Sequence, residues 1–197
     1  MAIPIHHFAM STVQVQEVII TPEEYIEGEL HSEVRHEYYA GRVEAMAEAS
    51  TAHNQIMMAF GSALNVQLEG KPCQPFVADM KVHIRSADED WFYYPDVLVN
   101  CDPVGQHKYY CDTPSVIVEV LSEATENKDR REKFFAFTTI RSLHTYILAA
   151  QDKREVTVFH RTTGDWSRTV FTGDATLSIP ELAFTVPLDA LYARTGL

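Results

Sequence analysis

Residues 114–122 are the most apolar strand-like stretch of the chain and read Pro114-Ser115-Val116-Ile117-Val118-Glu119-Val120-Leu121-Ser122. The density of β-branched residues predicts a buried β-strand. Because side chains alternate between the two faces of a strand, Glu119 shares a face with Ile117 and Leu121, and the valines occupy the other. An ionised carboxylate there is costly unless it is paired, neutralised or bound to a metal. Glu119 is therefore the first candidate for a functional residue.

A second carboxylate lies in the preceding predicted strand. The stretch Tyr93-Tyr94-Pro95-Asp96-Val97-Leu98-Val99-Asn100 places Asp96 23 residues before Glu119, and consecutive strands tend to be neighbours. Two converging carboxylates suit Mg²⁺ or Mn²⁺, and such an ion polarises a phosphoryl oxygen and activates bound water. The alternatives are a turn role for Asp96 beside Pro95 and an ion pair between Glu119 and a lysine or arginine.

Three further residues are candidates for the same pocket. Lys133 falls on the inward stripe of a predicted helix, from which its ammonium group reaches the carboxylates. The alternative is a lysine whose charged end stays in solvent. His53 heads the second predicted helix and Glu37 lies in a predicted hairpin, and either residue is also compatible with a purely structural role.

The order of predicted elements indicates an α/β (α+β) fold with a mixed β-sheet flanked by helices. Helices are predicted after the N-cap Thr21, from Ser50 or Thr51 to about Glu69, and over residues 125–140. A hairpin is predicted over residues 36–48, and strands over residues 76–84, 91–101, 115–121, 146–150, 155–161 and 166–172. A short strand or loop and a helix follow within residues 179–193. We expect residues 1–20 to be a flexible arm and residues 21–197 to be a single domain.

The composition is that of a soluble globular protein, with 46% hydrophobic and 22% charged residues. No apolar run is long enough to span a bilayer, and the first residues carry no evident secretory signal, so we expect a cytoplasmic protein without a membrane span. The cysteines, Cys73, Cys101 and Cys111, are odd in number and lack Cys-x-x-Cys spacing. That pattern favours reduced thiols over a disulfide or zinc framework.

The net charge of −12 argues against nucleic-acid binding over the whole surface, and the charge is unevenly distributed. Residues 1–127 carry 6 Lys and Arg against 20 Asp and Glu, a balance of −14, whereas residues 128–161 carry 8 against 4, a balance of +4. This basic window is able to meet a polyanion. A solvated helix face with a basic hairpin turn is the simpler interpretation, and charge alone favours it.

Taken together, these motifs resemble the Uma-type restriction endonucleases of bacteria, a family in the PD-(D/E)xK nuclease superfamily. The resemblance covers about residues 21–190 and is carried by Tyr94–Val99, Pro114–Ser122, Asp129–Lys133 and Tyr146–Leu148, with Glu37 and His53 in the N-terminal half. It implies a restriction-endonuclease-like mixed sheet and metal-dependent cleavage of DNA.

The resemblance also implies roles for individual residues. Asp96 and Glu119 would ligate Mg²⁺ or Mn²⁺, and the carbonyl of Val120 would be a further ligand. The lysine of the superfamily comes two residues after the acid, where this chain has Leu121. We therefore expect Lys133 to take its place and orient the attacking water, with Glu37 or His53 completing the pocket.

Two other functions remain open. The acidic charge and the missing in-strand lysine favour a nuclease-fold module that binds nucleic acid or a protein partner without cleaving. A metal-dependent phosphoesterase with another substrate would use the same residues. A homodimer is expected on functional grounds alone, because cleavage of both DNA strands requires two active sites.

Overall fold

The computed structural model describes residues 19–86, 89–122 and 128–197, and for Lys128 and Asp129 it describes the backbone alone. Most of the predicted N-terminal arm, residues 1–18, lies outside the described residues. Where the arm is described, it is anchored: the Ile20 N–H donates to the Gly41 carbonyl at 3.0 Å, and the Ile20 carbonyl accepts from the Tyr38 hydroxyl at 2.9 Å.

The described residues form four α-helices and thirteen short strands. The helices are α1 (Pro22–His31), α2 (Thr51–Leu68), α3 (Phe134–Thr138) and α4 (Leu188–Tyr192), with a π-helical turn (Lys128–Lys133) leading into α3 and 3-10 turns at Pro103–Gly105 and Pro180–Leu182. The strands are β1 (His36–Tyr39), β2 (Arg42–Ala45), β3 (Gln74–Val77), β4 (Lys81–Arg85), β5 (Asp90–Tyr93), β6 (Val97–Asn100), β7 (Tyr110–Cys111), β8 (Pro114–Leu121), β9 (Thr145–Ala150), β10 (Glu155–Arg161), β11 (Trp166–Thr172), β12 (Thr176–Ile179) and β13 (Phe184–Pro187).

Two mixed sheets organise the described strands. The five-stranded sheet has the order β2-β1-β5-β4-β7, and the six-stranded sheet has the order β11-β10-β9-β8-β6-β3. Each sheet has one parallel pair, β4 with β7 and β8 with β9, among antiparallel neighbours. The π-helical turn and α3 form part of the crossover between β8 and β9, which a parallel connection requires. The predicted class, mixed sheets flanked by helices, is confirmed.

Local sequence signals explain where the first two helices begin. Thr21 and Glu24 form a reciprocal capping box at the start of α1, and the Ser50 hydroxyl accepts a hydrogen bond from the His53 N–H at the start of α2. Both starting points agree with the prediction. The capping of α2 is what places His53 in its first turn.

The β8 strand separates two hydrophobic cores, as its alternating sequence predicts. Val116, Val118 and Val120 pack with the apolar stripe of α2, whereas Ile117 and Leu121 pack with α3 residues such as Phe137 and with Tyr146 of β9. Glu119 therefore faces the α3 side. The position of the carboxylate follows from the period of the strand.

Two predicted strands are wrong, because each divides between the two sheets. Residues 76–84 divide into β3 and β4, with Ala78 and Asp79 between them at φ values of +43° and +51°. Residues 91–101 divide into β5 and β6 around Tyr94, Pro95 and Asp96. Left-handed backbone and a proline without an N–H both interrupt strand pairing. We call this crossing region, residues 78–79 and 94–96, the sheet junction.

The remaining differences concern the C-terminal half. The helix predicted over residues 125–140 is a π-helical turn followed by the short α3, and residues 123–127 lie outside the described part of the chain. The short strand or loop and the helix predicted within residues 179–193 correspond to β13 and α4. The β12 strand has no counterpart among the predicted strands; it pairs with β13 and packs into the same core as α2.

The prediction of three reduced thiols is wrong, because Cys73 and Cys101 form a disulfide. They lie beyond the paired ends of β3 and β6, where Gln74 is the register partner of Asn100. The odd number of cysteines and their spacing do not reveal this pairing, which depends on β3 lying beside β6. Cys111 is a buried free thiol, and burial raises its pKa to about 11.

The disulfide closes a loop of 28 residues of sequence separation, which corresponds to about 3–4 kcal/mol of loop-closure entropy. We expect Cys73→Ser to lower the free energy of unfolding in urea by about this amount under oxidising conditions. In dithiothreitol the wild type and the variant should unfold at the same urea concentration. Titration of all three cysteines as free thiols in unfolded, unreduced wild type would contradict the disulfide.

Candidate active site

A cavity of about 230 Å³ opens at the sheet junction. It gathers every candidate residue from the sequence into one place, and its lining residues are Glu37, Glu44, Ala45, Met46, Ala47, Glu48, Ala49, His53, Tyr94, Asp96, Glu119, Val120, Ser122 and Lys133. This volume is below that of a typical drug-sized ligand pocket. It suits a small polar group, such as a phosphodiester with a few waters.

Lys133 lies between two buried carboxylates. Its Nζ is 2.9 Å from Glu37 Oε1 and 3.2 Å from Glu119 Oε1. All three residues are at most 5% exposed. Glu37 comes from β1 of the five-stranded sheet and Glu119 from β8 of the six-stranded sheet. The lysine thus points inward, as predicted, and its ammonium joins the two sheets.

Asp96 is held by the chain that follows Glu119 and by α2. The backbone N–H of Val120 donates to Asp96 Oδ2 at 2.6 Å, and His53 Nε2 lies 3.3 Å from the same oxygen. Asp96 and Glu119 line the same cavity, although one lies in the sheet junction and the other in β8. The N–H of Val120 points towards Asp96. The role of the Val120 carbonyl as a metal ligand stays a prediction.

Phenol groups that the sequence did not single out surround the acids. The Tyr39 hydroxyl donates to Glu44 and, at 3.4 Å, to Glu37 Oε2, and the Tyr93 hydroxyl donates to Glu132 at 3.2 Å. Burial, reinforced by these carboxylates, raises the pKa of both phenols, so they stay protonated donors. The sequence offered only the proximity of Tyr39 and Glu44 across the hairpin as a signal.

The oxygen donors fit a magnesium-type ion. No group of three or more described His, Cys, Asp or Glu residues is arranged to hold a metal alone. Mg²⁺ usually takes only one or two carboxylates and keeps waters and substrate phosphate as its other ligands. Asp96 and Glu119 match that requirement, and Asp96 Oδ1 has no hydrogen-bond donor in the described part of the chain.

The cavity is strongly acidic, with Lys133 and His53 as its basic side chains among the lining residues and acids at Glu37, Glu44, Glu48, Asp96 and Glu119. The basic window of residues 128–161 offers little compensation, because two of its arginines have structural roles. Arg154 pairs with Asp189, and Arg161 donates to carbonyls at the end of α3 and beyond. None of the described helices is long and apolar enough to cross a membrane.

Removal of the ammonium group should destabilise the fold. Lys133→Met leaves Glu37 and Glu119 buried without their shared cation, and we expect the free energy of unfolding to fall by about 3–5 kcal/mol. Arg131→Met, on the exposed side of the same π-helical turn, is the matched control and should change stability by less than about 0.5 kcal/mol. Equal losses for the two variants in urea unfolding would show that the ion pairs do not stabilise the site.

Comparisons with known proteins identify the family and the fold. Residues 22–189 match the model of the Uma2 family, described as "putative restriction endonuclease". Two proteins of Synechocystis sp. are each 29% identical: slr1290 over 88% of this chain and 91% of its own length, and sll1609 over 68% and 76%. A crystal structure of a "putative nuclease belonging to DUF820" from Anabaena variabilis has a TM-score of 0.66 at 17% identity, covering 83% of this chain and 93% of that one, and shows the same fold. The chain therefore belongs to the Uma2 family, and its family and fold indicate a nuclease of the restriction-endonuclease type.

Proposed function

We propose that the protein is a metal-dependent endonuclease that hydrolyses phosphodiester bonds of DNA, with Asp96 and Glu119 holding Mg²⁺ or Mn²⁺. One observation carries the proposal. Asp96 from the sheet junction, Glu119 from β8 and a lysine from the following helical turn line one small cavity, at distances of 2.6–3.3 Å from their partners. Acids able to hold a divalent ion beside a fixed cation suit phosphodiester hydrolysis.

Each side chain has a separate task in this proposal. Asp96 and Glu119 would hold the ion, which when bound would polarise the phosphoryl oxygen and lower the pKa of a water. Lys133, a donor without acceptor capacity, orients the attacking water and offsets negative charge on the phosphate. Glu37 keeps the lysine over the acids, and His53 holds the Asp96 carboxylate through Oδ2.

The charge of the cavity also supports a metal. An acidic pocket in a chain of net charge −12 repels the DNA backbone. A divalent cation held by Asp96 and Glu119 would offset part of this negative charge and would favour the entry of a phosphate. We further propose that the protein acts as a homodimer, so that two cavities meet the two strands.

A module that binds without cleaving is the second candidate. It is favoured by Leu121, which stands where the superfamily has its lysine and packs in the core on the α3 side. In that case Lys133 would be a structural counterion alone. Cleavage assays decide between the two functions.

Loss of either acid should abolish cleavage. We expect Asp96→Asn and Glu119→Gln to weaken Mn²⁺ binding in calorimetry and to slow plasmid cleavage by more than the roughly hundredfold that loss of a supporting outer group costs. Asp174→Asn removes an exposed acid in a turn and is the control for charge alone. Retained Mg²⁺-dependent activity in both site variants would reject the assignment.

Exchanging the position of the lysine tests its role. Lys133→Leu should lose cleavage, and adding Leu121→Lys should restore part of it, because residues 119 and 121 share one face of β8. Supercoiled plasmid nicking in Mg²⁺ gives the rate for each variant. If the double variant stays inactive while circular dichroism shows it folded, Lys133 does not substitute for the in-strand lysine.

A further inference from the structure

A buried carboxylate that the proposed mechanism does not use lies on α1. Glu29 is 6% exposed. Its Oε2 accepts from the Tyr94 hydroxyl at 2.7 Å and from the His36 backbone N–H at 3.3 Å, and its Oε1 lies 2.8 Å from His36 Nδ1. His36 immediately precedes Glu37, and Tyr94 lies two residues before Asp96. One carboxylate outside the cavity therefore contacts the segments that carry two of its acids, Glu37 and Asp96.

The contact with β1 is more than a single hydrogen bond. Tyr25 lies one turn before Glu29 on α1, so both side chains are on the same face of the helix. The Tyr25 hydroxyl donates to the His36 carbonyl at 2.5 Å. The N–H, carbonyl and Nδ1 of His36 are thus all held by α1. The backbone next to Glu37 is therefore held in place, and the Glu37 side chain extends from there to Lys133.

The hydrogen bond between Glu29 and Tyr94 of the sheet junction has a defined donor. The buried Lys81 donates to the Tyr94 hydroxyl at 3.1 Å. Lysine only donates and a carboxylate only accepts, so the phenol proton points to Glu29. Burial lowers the pKa of Lys81, and burial with the Glu29 contact raises that of Tyr94. Pro95, with its fixed φ, then transmits the position of Tyr94 to Asp96.

We infer that Glu29 is a positioning residue for the candidate active site: through His36 and Tyr94 it sets where Glu37 and Asp96 meet Lys133 and Val120. The expected effect on metal binding and cleavage rests on the proposed nuclease function, whereas the positioning of Glu37 and Asp96 does not. A purely structural role would tie α1 to the sheets without a selective effect on the cavity. The two roles predict different results for the amide of Val120, which donates to Asp96.

The first measurement is amide hydrogen exchange by NMR on the full chain. In Glu29→Gln and in Tyr94→Phe we expect the Val120 amide to exchange about tenfold faster or more, because the Asp96 acceptor is less well held. The Val118 amide in the same strand should keep its rate. Glu27→Gln, an exposed acid on the same helix whose side chain is 71% exposed, is the matched control and should change neither amide.

The second measurement is Mn²⁺ affinity together with cleavage kinetics. Glu29→Gln should weaken Mn²⁺ binding or lower the cleavage rate constant by about 10–100-fold, the range for outer partners of metal ligands. The KM for DNA and the urea midpoint should stay close to those of Glu27→Gln. A pure loss of stability would instead shift the urea midpoint with unchanged kinetics in the folded protein.

The outcomes separate the two proposals. If Val120 and Val118 exchange faster by the same factor, or neither changes, Glu29 only anchors α1 and the positioning role is rejected. If wild type neither binds Mn²⁺ nor cleaves DNA, the nuclease function fails, and selective exchange at Val120 still establishes that Glu29 positions Asp96.

Discussion

The ammonium group of Lys133 between the carboxylates of Glu37 and Glu119 is the contact on which the site depends. Each of these charges is nearly without water, and desolvation of an ion costs several kcal/mol. The cost is tolerable because both partners lie within 3.2 Å of the ammonium. Since the acids belong to different sheets, the same contact fixes how the sheets approach one another. The cavity and the packing of the two sheets therefore have a common origin.

The sheet junction positions Asp96 in the same cavity as Lys133. Two of the crossings between the sheets, after β3 and after β5, lie at this junction. Ala78 and Asp79 hold left-handed backbone at the first crossing, which costs of the order of 1–3 kcal/mol for each non-glycine residue. The Ala78 N–H donates to the Asp96 carbonyl at 3.1 Å, so the strained turn supports the second crossing. Two of the four non-glycine residues with positive φ in the described part of the chain thus lie beside the candidate ligand.

The cavity is lined by acids, and hydrogen-bond donors lie behind them. Acids face the cavity, protonated phenols donate to them, and Glu29 ties the backbone behind them to α1. In the basic window, Arg154 pairs with Asp189 and Arg161 donates to carbonyls, both away from the cavity lining. The divalent ion of the proposed function would offset the acidic charge of the cavity. The family and the fold indicate a nuclease of the restriction-endonuclease type.

Sequence by itself determined the local features of this protein. The alternation in β8 put Glu119 opposite the valines, the caps at Thr21 and Ser50 started two helices, and the helical period turned Lys133 inward. These follow from short-range geometry, in which neighbours along the chain decide direction. Tertiary structure alone decided the division of two predicted strands between sheets, the Cys73–Cys101 disulfide and the role of Glu29. Each depends on segments far apart in sequence, whose pairing is settled by packing and by the partner that a buried charge finds, and no local pattern encodes that choice.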